Sequence, residues 1–203
     1  MKKLLFAPGF ACTSEIWSQA KVFLKNAELL LLEWHPNLHT VDVTRDYLRE
    51  YILKHSPDVY IGHSLGGLLL LELLIAESIP NQPTLIVDAF LLDPDDLFKN
   101  FVWEDEKLRE QVTTLLDQQR PLYQPLRNAI QSWTRENWPL AAIETGAHFV
   151  YGGRGATNED VYHALGWPLD TITKERLTIF PNTSHFLMME QPAAFYQLVQ
   201  KMS

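Results

Sequence analysis

Six short apolar runs, each leading into or returning from a helix-compatible stretch, limit the architectures open to this chain. They are Lys3–Ala7, Glu28–Glu33, Asp58–Gly62, Thr84–Ala89, His148–Gly152 and Arg176–Phe180. Most show no alternation of polar and apolar residues, the pattern of strands covered by helices on both faces of a sheet. Apolar strand followed by helix is also the signature of a parallel sheet with crossover helices. The predicted fold class is therefore α/β: a doubly wound, mostly parallel sheet of about six strands with helices on both faces. Connecting helices are predicted over Ser14–Lys25, Val43–His55, Leu65–Glu77 and Gln191–Met202. The third opens Leu-Gly-Gly-Leu-Leu-Leu-Leu-Glu-Leu-Leu, apolar nearly all round, and is predicted to be the buried central helix.

One segment breaks this rhythm. From Asp95 to about Ala142 no strand pattern occurs, and two helical patterns, Glu104–Gln119 and Leu122–Thr134, are separated by Pro121. This reads as a small helical cap insertion, at about 95–142, lying over one end of the sheet within a single domain of 1–203. Its Trp103, Trp133 and Trp138 are either core for that helical layer or the wall of an apolar slot; Trp167 is assigned no role.

At 203 residues the chain has the length of one domain, not two. With 46% apolar and 21% charged residues it falls outside the collagen-like, disordered and disulfide-scaffold classes. Its net charge of −8 sets up a field that repels phosphate backbones and anionic lipid heads, so neither nucleic acid nor membrane is an expected partner. The single cysteine, Cys12, has no partner for an internal disulfide, which fits a reducing compartment. No run approaches the roughly 18 apolar residues that span a bilayer. The start, Lys2-Lys3-Leu4-Leu5-Phe6-Ala7, imitates a secretion signal, but Pro8 and Gly9 end its apolar stretch too early. The expected location is cytoplasmic, and oligomeric state is left open.

The most specific five residues are Gly62-His63-Ser64-Leu65-Gly66, a G-x-S-x-G directly after a predicted strand and directly before a helix. A nucleophilic serine there needs a sharp turn to lift its hydroxyl clear of the sheet, and the flanking glycines let neighbouring backbone approach. The helix that follows aims its first N–H groups at any negative charge forming nearby. Ser64 is the candidate nucleophile.

With this motif the chain resembles the α/β-hydrolase superfamily over nearly its whole length. Ala7-Pro8-Gly9-Phe10-Ala11 is similar to that family's oxyanion loop, and Ser14-Glu15-Ile16-Trp17 to the start of its next helix. Phe180-Pro181-Asn182-Thr183-Ser184-His185-Phe186-Leu187-Met188-Met189-Glu190-Gln191-Pro192 resembles its histidine loop. The resemblance implies His185 as general base and the main-chain N–H groups of Phe10 and Leu65 as oxyanion hole. Phe10 can vary in side chain without losing that role, since the donor is main chain, and its ring can also wall the acyl pocket.

The third member departs from the family pattern. Where a Gly-x-x-Asp run is usual, this chain reads Gly152-Gly153-Arg154-Gly155, with glycine in the acid position. Asp88, closing the run Leu85-Ile86-Val87-Asp88, is the favoured replacement, since some superfamily members carry their acid after that strand. Asp160 or Glu159, from further along the Gly155 loop, and no acid at all are the alternatives.

Weaker candidates carry less. His35 and His39 have a ligand-like spacing, but Pro36 and Asn37 between them read as loop, and no metal or other cofactor is expected. Asp93, Asp95 and Asp96 read as a solvated turn around Pro94, and Cys12 as a small buried side chain. Arg127 and Arg135 are the candidates for a local basic patch against the acidic whole, with solvated surface as the plainer reading.

The resemblance and the motifs together predict a serine hydrolase for a small or medium carboxylic ester or thioester. A carbon–carbon bond hydrolase or a perhydrolase would use the same serine and histidine; a halide-releasing enzyme would need aspartate at position 64. The reading of a different class is a catalytically impaired ligand-binding or regulatory protein, motivated by Gly155.

Overall fold

The structure, a computed structural model, describes residues 1–99, 105–133, 138–166 and 176–202. Strands β1 (Lys2–Ala7), β2 (Ala27–Leu31), β3 (Val59–His63), β4 (Thr84–Val87), β5 (His148–Gly152) and β6 (Leu177–Phe180) form one sheet in the order β2-β1-β3-β4-β5-β6. Every neighbouring pair is parallel. The chain leaves β1 to add β2 on one side, then returns to add β3 on the other. The sheet's topological switch point therefore lies between the carboxyl ends of β1 and β3, where open α/β sheets leave a crevice.

Successive strand residues feed two cores. Leu4 and Phe6, Val59 and Ile61, and Leu85 and Val87 point to one face; Leu5 and Ala7, Tyr60, and Ile86 point to the other. All are buried, which is why the strands lack polar alternation.

The helices are α1 (Ala20–Phe23), α2 (Val41–His55), α3 (Leu65–Ile75), α4 (Asp96–Lys99), α5 (Glu106–Gln119), α6 (Gln124–Gln131), α7 (Trp138–Glu144), α8 (Asn158–Leu165), α9 (Leu187–Glu190) and α10 (Pro192–Met202). Residues of α2, α3 and α8 pack in the core with Leu5 and Tyr60, while α10 packs Phe195, Tyr196 and Val199 against the opposite one. As its composition predicts, α3 is buried nearly all round. Thr40 caps α2 through a hydrogen bond from Val43 N–H, so this helix begins two residues earlier than Val43.

Other boundaries shift for local reasons. The predicted helix Ser14–Lys25 is instead a 3₁₀ turn, Ser14–Trp17, followed by the single turn α1. Ser14, Ser18, Val22 and the aromatic Trp17 and Phe23 are all modest helix formers, and short turns win. Strand β4 stops at Val87, not Ala89, because Asp88 turns left-handed at φ 44°. Pro121 does not leave a gap between helices: it sits in a 3₁₀ turn, Arg120–Tyr123, that joins α5 to α6. Between β4 and β5 the described residues form helices and no strand. The 3₁₀ turn, α6 and α7 pack Tyr123, Leu126 and Ala142 into the core that holds α3. No helix among the described residues is long and apolar enough to cross a membrane.

Candidate active site

Between the last residue of β3 and the first of α3 lies Ser64 alone, at φ 51° and ψ −118°. Its N–H donates to the Val87 carbonyl (2.9 Å), and its own carbonyl accepts from Leu68 N–H (3.0 Å), pinning the turn to β4 and to α3. Two glycines make the turn possible. A side-chain carbon on Gly66 would collide with the Ala7 carbonyl oxygen and lie 2.6 Å from that of Pro8. One on Gly9 would lie 3.1 Å from the Ser64 Cβ. The loop after β1 is thereby laid directly against Ser64, at the switch point.

That loop is held from behind. Trp34 Nε1–H donates to both the Pro8 and Gly9 carbonyls (3.1 Å each), and Tyr123 Oη–H donates to the Trp34 carbonyl (2.8 Å). Leu65, as the first residue of α3, has an N–H with no acceptor in a preceding turn of helix. Phe10 follows Gly9 in the loop, with its ring edge-on to Tyr123 at 6.3 Å.

Asp88 is the carboxylate that meets His185. Its Oδ2 accepts from His185 Nδ1 at 2.7 Å, a contact that gives Nδ1 the proton when the imidazole is neutral and leaves Nε2 as the basic nitrogen. The same Oδ2 accepts from one Arg154 nitrogen at 2.8 Å; Oδ1 accepts from the other at 3.3 Å and from Gly152 N–H at 3.0 Å. The Asp88 and Arg154 side chains are 0% and 1% exposed, so this two-pronged pair is a fully desolvated one. Burial opposes ionisation of Asp88, but the Arg154 guanidinium and the His185 contact outweigh it and hold the carboxyl below the usual range. Arg154 also donates to the Gly152 carbonyl (2.7 Å), and its guanidinium lies 5.0 Å from the Phe98 ring centre.

Ser64, Asp88 and Arg154 all hold positive φ, at 51°, 44° and 53°. Such backbone costs about 1–3 kcal/mol for each non-glycine residue and persists only where the surroundings impose it, characteristically at working sites.

The histidine loop is fixed at three points. Arg154 N–H donates to the Thr183 carbonyl (2.9 Å), and the Glu190 carboxylate accepts from Ser184 N–H (2.9 Å) and hydroxyl. His63 supplies the third. Its Nε2 lies 2.9 Å from the His185 carbonyl, and the two imidazole rings are 4.4 Å apart between centres. A carbonyl only accepts, so Nε2 carries the His63 proton; burial, then the neighbouring His185, holds the ring well below its ordinary pKa and therefore neutral. His185 thus stands against the residue that precedes Ser64, with Phe90 stacked at 6.5 Å beyond it.

The alternative acids lie elsewhere. Asp160 caps its own helix, accepting from the Thr157 hydroxyl (2.6 Å) and N–H (3.2 Å), and Glu159 is exposed, 4.0 Å from His163. Gly155, in the family's acid position, is left-handed at φ 78° and carries no side chain to meet His185. Arg154 and His63 are the site residues that sequence reasoning missed. A buried arginine beside the vacated acid position is a signal only once Asp88 is known to lie across from it.

The remaining candidates are placed as follows. His35 and His39 lie in the loop before α2, and among the described residues no group of three His, Cys, Asp or Glu side chains could hold a metal ion. Asp95 caps α4 through Leu97 N–H (3.1 Å), and Asp93 and Asp96 are exposed. Cys12 is buried, and burial pushes its thiol up to about 12, so it is no nucleophile at neutral pH. Trp133 and Trp138 pack edge-to-face at 5.1 Å over the core that holds α3. Over Ser64 opens a cleft of about 400 Å³, walled by Phe10, Leu68 and Ile130 and by Arg120 and Arg127. Trp133 and Trp138 are not among its lining residues. Trp103, Trp167 and Arg135 lie outside the described residues.

A parallel sheet with a left-handed serine after β3, at its switch point, defines a class, and comparison with known proteins gives that class its name. The model of the "Alpha/beta hydrolase family" matches residues 4–198, and the chain belongs to that family. The family assignment supports a hydrolase. Among solved structures the fold is similar to MenH from S. aureus (TM-score 0.75, 13% identity, covering 99% of this chain and 92% of that one). It is also similar to a lipase-esterase related protein from Clostridium acetobutylicum (0.70, 16%, 100% and 94%). A third likeness is to the methylesterase MES16 from Arabidopsis (0.67, 12%, 99% and 98%). No curated protein sequence matches significantly.

Proposed function

We propose that the protein is a serine hydrolase that cleaves a small or medium carboxylic ester or thioester through an acyl-enzyme on Ser64. The observation that carries this reading is the left-handed Ser64 between β3 and α3, with an Asp88-bound His185 against its neighbour His63. Among proteins of similar fold, the methylesterase and the lipase-esterase related protein support an ester substrate by likeness.

In this mechanism Ser64 Oγ attacks the carbonyl carbon while His185 Nε2 takes the hydroxyl proton. The carbonyl oxygen becomes an oxyanion held by the N–H groups of Phe10 and Leu65, each donor contributing on the order of 3–4 kcal/mol to the transition state. The tetrahedral intermediate collapses, the alcohol or thiol leaves with the proton from His185, and the acyl group stays on Ser64. Water then attacks the acyl-enzyme, giving its proton to His185. A second tetrahedral intermediate releases the carboxylic acid as the proton returns to Ser64. Asp88 steadies the imidazolium in both halves. Carbon–carbon hydrolysis or perhydrolysis on the same serine and histidine differs in the bond broken or in the attacking peroxide. The binding-protein reading rested on the missing acid at Gly155, and an Asp88 carboxylate against His185 weighs against it.

A fluorophosphonate probe reads the reactive hydroxyl without knowledge of the substrate. Stoichiometric labelling at Ser64 in the wild type and none in Ser64→Ala are expected by mass spectrometry. Equal labelling of both proteins overturns the nucleophile assignment.

A further inference from the structure

Resting on the serine-hydrolase reading, we propose that the cleft over Ser64 is built for a substrate carrying a carboxylate at the far end of its acyl chain, held by Arg120 and Arg127. The chain as a whole carries a charge of −8, a field that repels anions. Yet among the described residues the cleft beside Ser64 is lined by two arginines and by no carboxylate. Phe10, Leu68 and Ile130 add apolar surface to the same cleft. That combination suits a short run of methylenes ending in an anion better than a plain alkyl chain, which would offer the two arginines nothing to bind.

The backbone that presents the two arginines is anchored. Arg120 belongs to the 3₁₀ turn whose Tyr123 is buried and tied through Trp34 to the Pro8 and Gly9 carbonyls. Arg127 follows Leu126, which is 1% exposed, on α6. Their side chains, by contrast, are available. Among the described residues Arg120 makes one ion pair, to Asp117 at 3.5 Å, with both side chains more than half exposed, a kind of contact that holds little. Among the described residues no carboxylate lies within ion-pair distance of Arg127. Both arginines line the one cleft, and the planar fork of a guanidinium matches the oxygen geometry of a carboxylate.

The test uses two esters that differ only at the chain end, p-nitrophenyl hexanoate and mono-p-nitrophenyl adipate. The read-out is the ratio of kcat/KM, adipate over hexanoate. It is expected to exceed one in the wild type, to fall with added salt, and to drop about 10- to 100-fold in the Arg120→Gln/Arg127→Gln double variant. A ratio unchanged by the double substitution overturns the carboxylate subsite while leaving the hydrolase intact. Failure of the wild type to cleave either ester or to take the fluorophosphonate label tells against the hydrolase instead. In that event adipate binding to Ser64→Ala, followed by calorimetry, judges the subsite alone: binding abolished by the double substitution supports it, and absent or unaffected binding overturns it.

Discussion

Asp88→Asn is expected to lower kcat/KM for a short-chain p-nitrophenyl ester by about 10³- to 10⁴-fold, the scale seen when a triad acid becomes its amide. The amide has no charge to steady an imidazolium, and its NH₂ can turn toward His185 Nδ1 and force the proton onto Nε2, the nitrogen that acts as base in the proposed mechanism. Asp160→Asn and Glu159→Gln are expected to stay within about twofold of wild type, since neither carboxylate reaches the histidine loop. Circular dichroism on each variant separates loss of chemistry from loss of fold. An Asp88→Asn enzyme as fast as wild type removes Asp88 from the mechanism.

Arg154→Met is expected to cost about 3–5 kcal/mol of stability at neutral pH, because it leaves a wholly buried carboxylate without its countercharge. The pH dependence carries the signature. In the wild type the folded-state pKa of Asp88 lies below its unfolded value near 3.8. The stability it contributes is therefore complete above that value and is lost as pH falls further. Without Arg154, burial governs the carboxyl and pushes it up, so protonation relieves the variant where it harms the wild type. Urea denaturation from pH 7 to pH 3 should show the gap between the two proteins narrowing steadily. A gap that stays constant places the role of Arg154 in packing, not in charge. Arg154→Lys should fall between them, since it restores charge without the two-pronged geometry.

Local information made much of this molecule legible. The six strands are visible because each is short, apolar and β-rich, and α3 because its leucines leave it no polar side. Ser64 is legible because its motif needs only a strand before and a helix after. Asp88 could be favoured from sequence through its place at a strand end, but its contact with His185 spans 97 residues and follows from the strand order. Arg154 was opaque for the same reason: its partner lies across β5 from it in sequence, and an arginine in a glycine-rich turn usually faces water. The short helices α4, α7 and α9 escaped because four to seven residues carry too little periodicity to read.

The histidine loop follows the last strand, yet it closes on Asp88 after β4 and on His63, 122 residues earlier. Closure over such separations needs the intervening sheet in register, so the arrangement is expected to be among the last to form as the chain folds. During refolding, recovery of fluorophosphonate reactivity should trail recovery of helical signal, and a truncation before β6 should never recover it. Reactivity toward the probe is thus a stopwatch for completed assembly as well as an assay of chemistry.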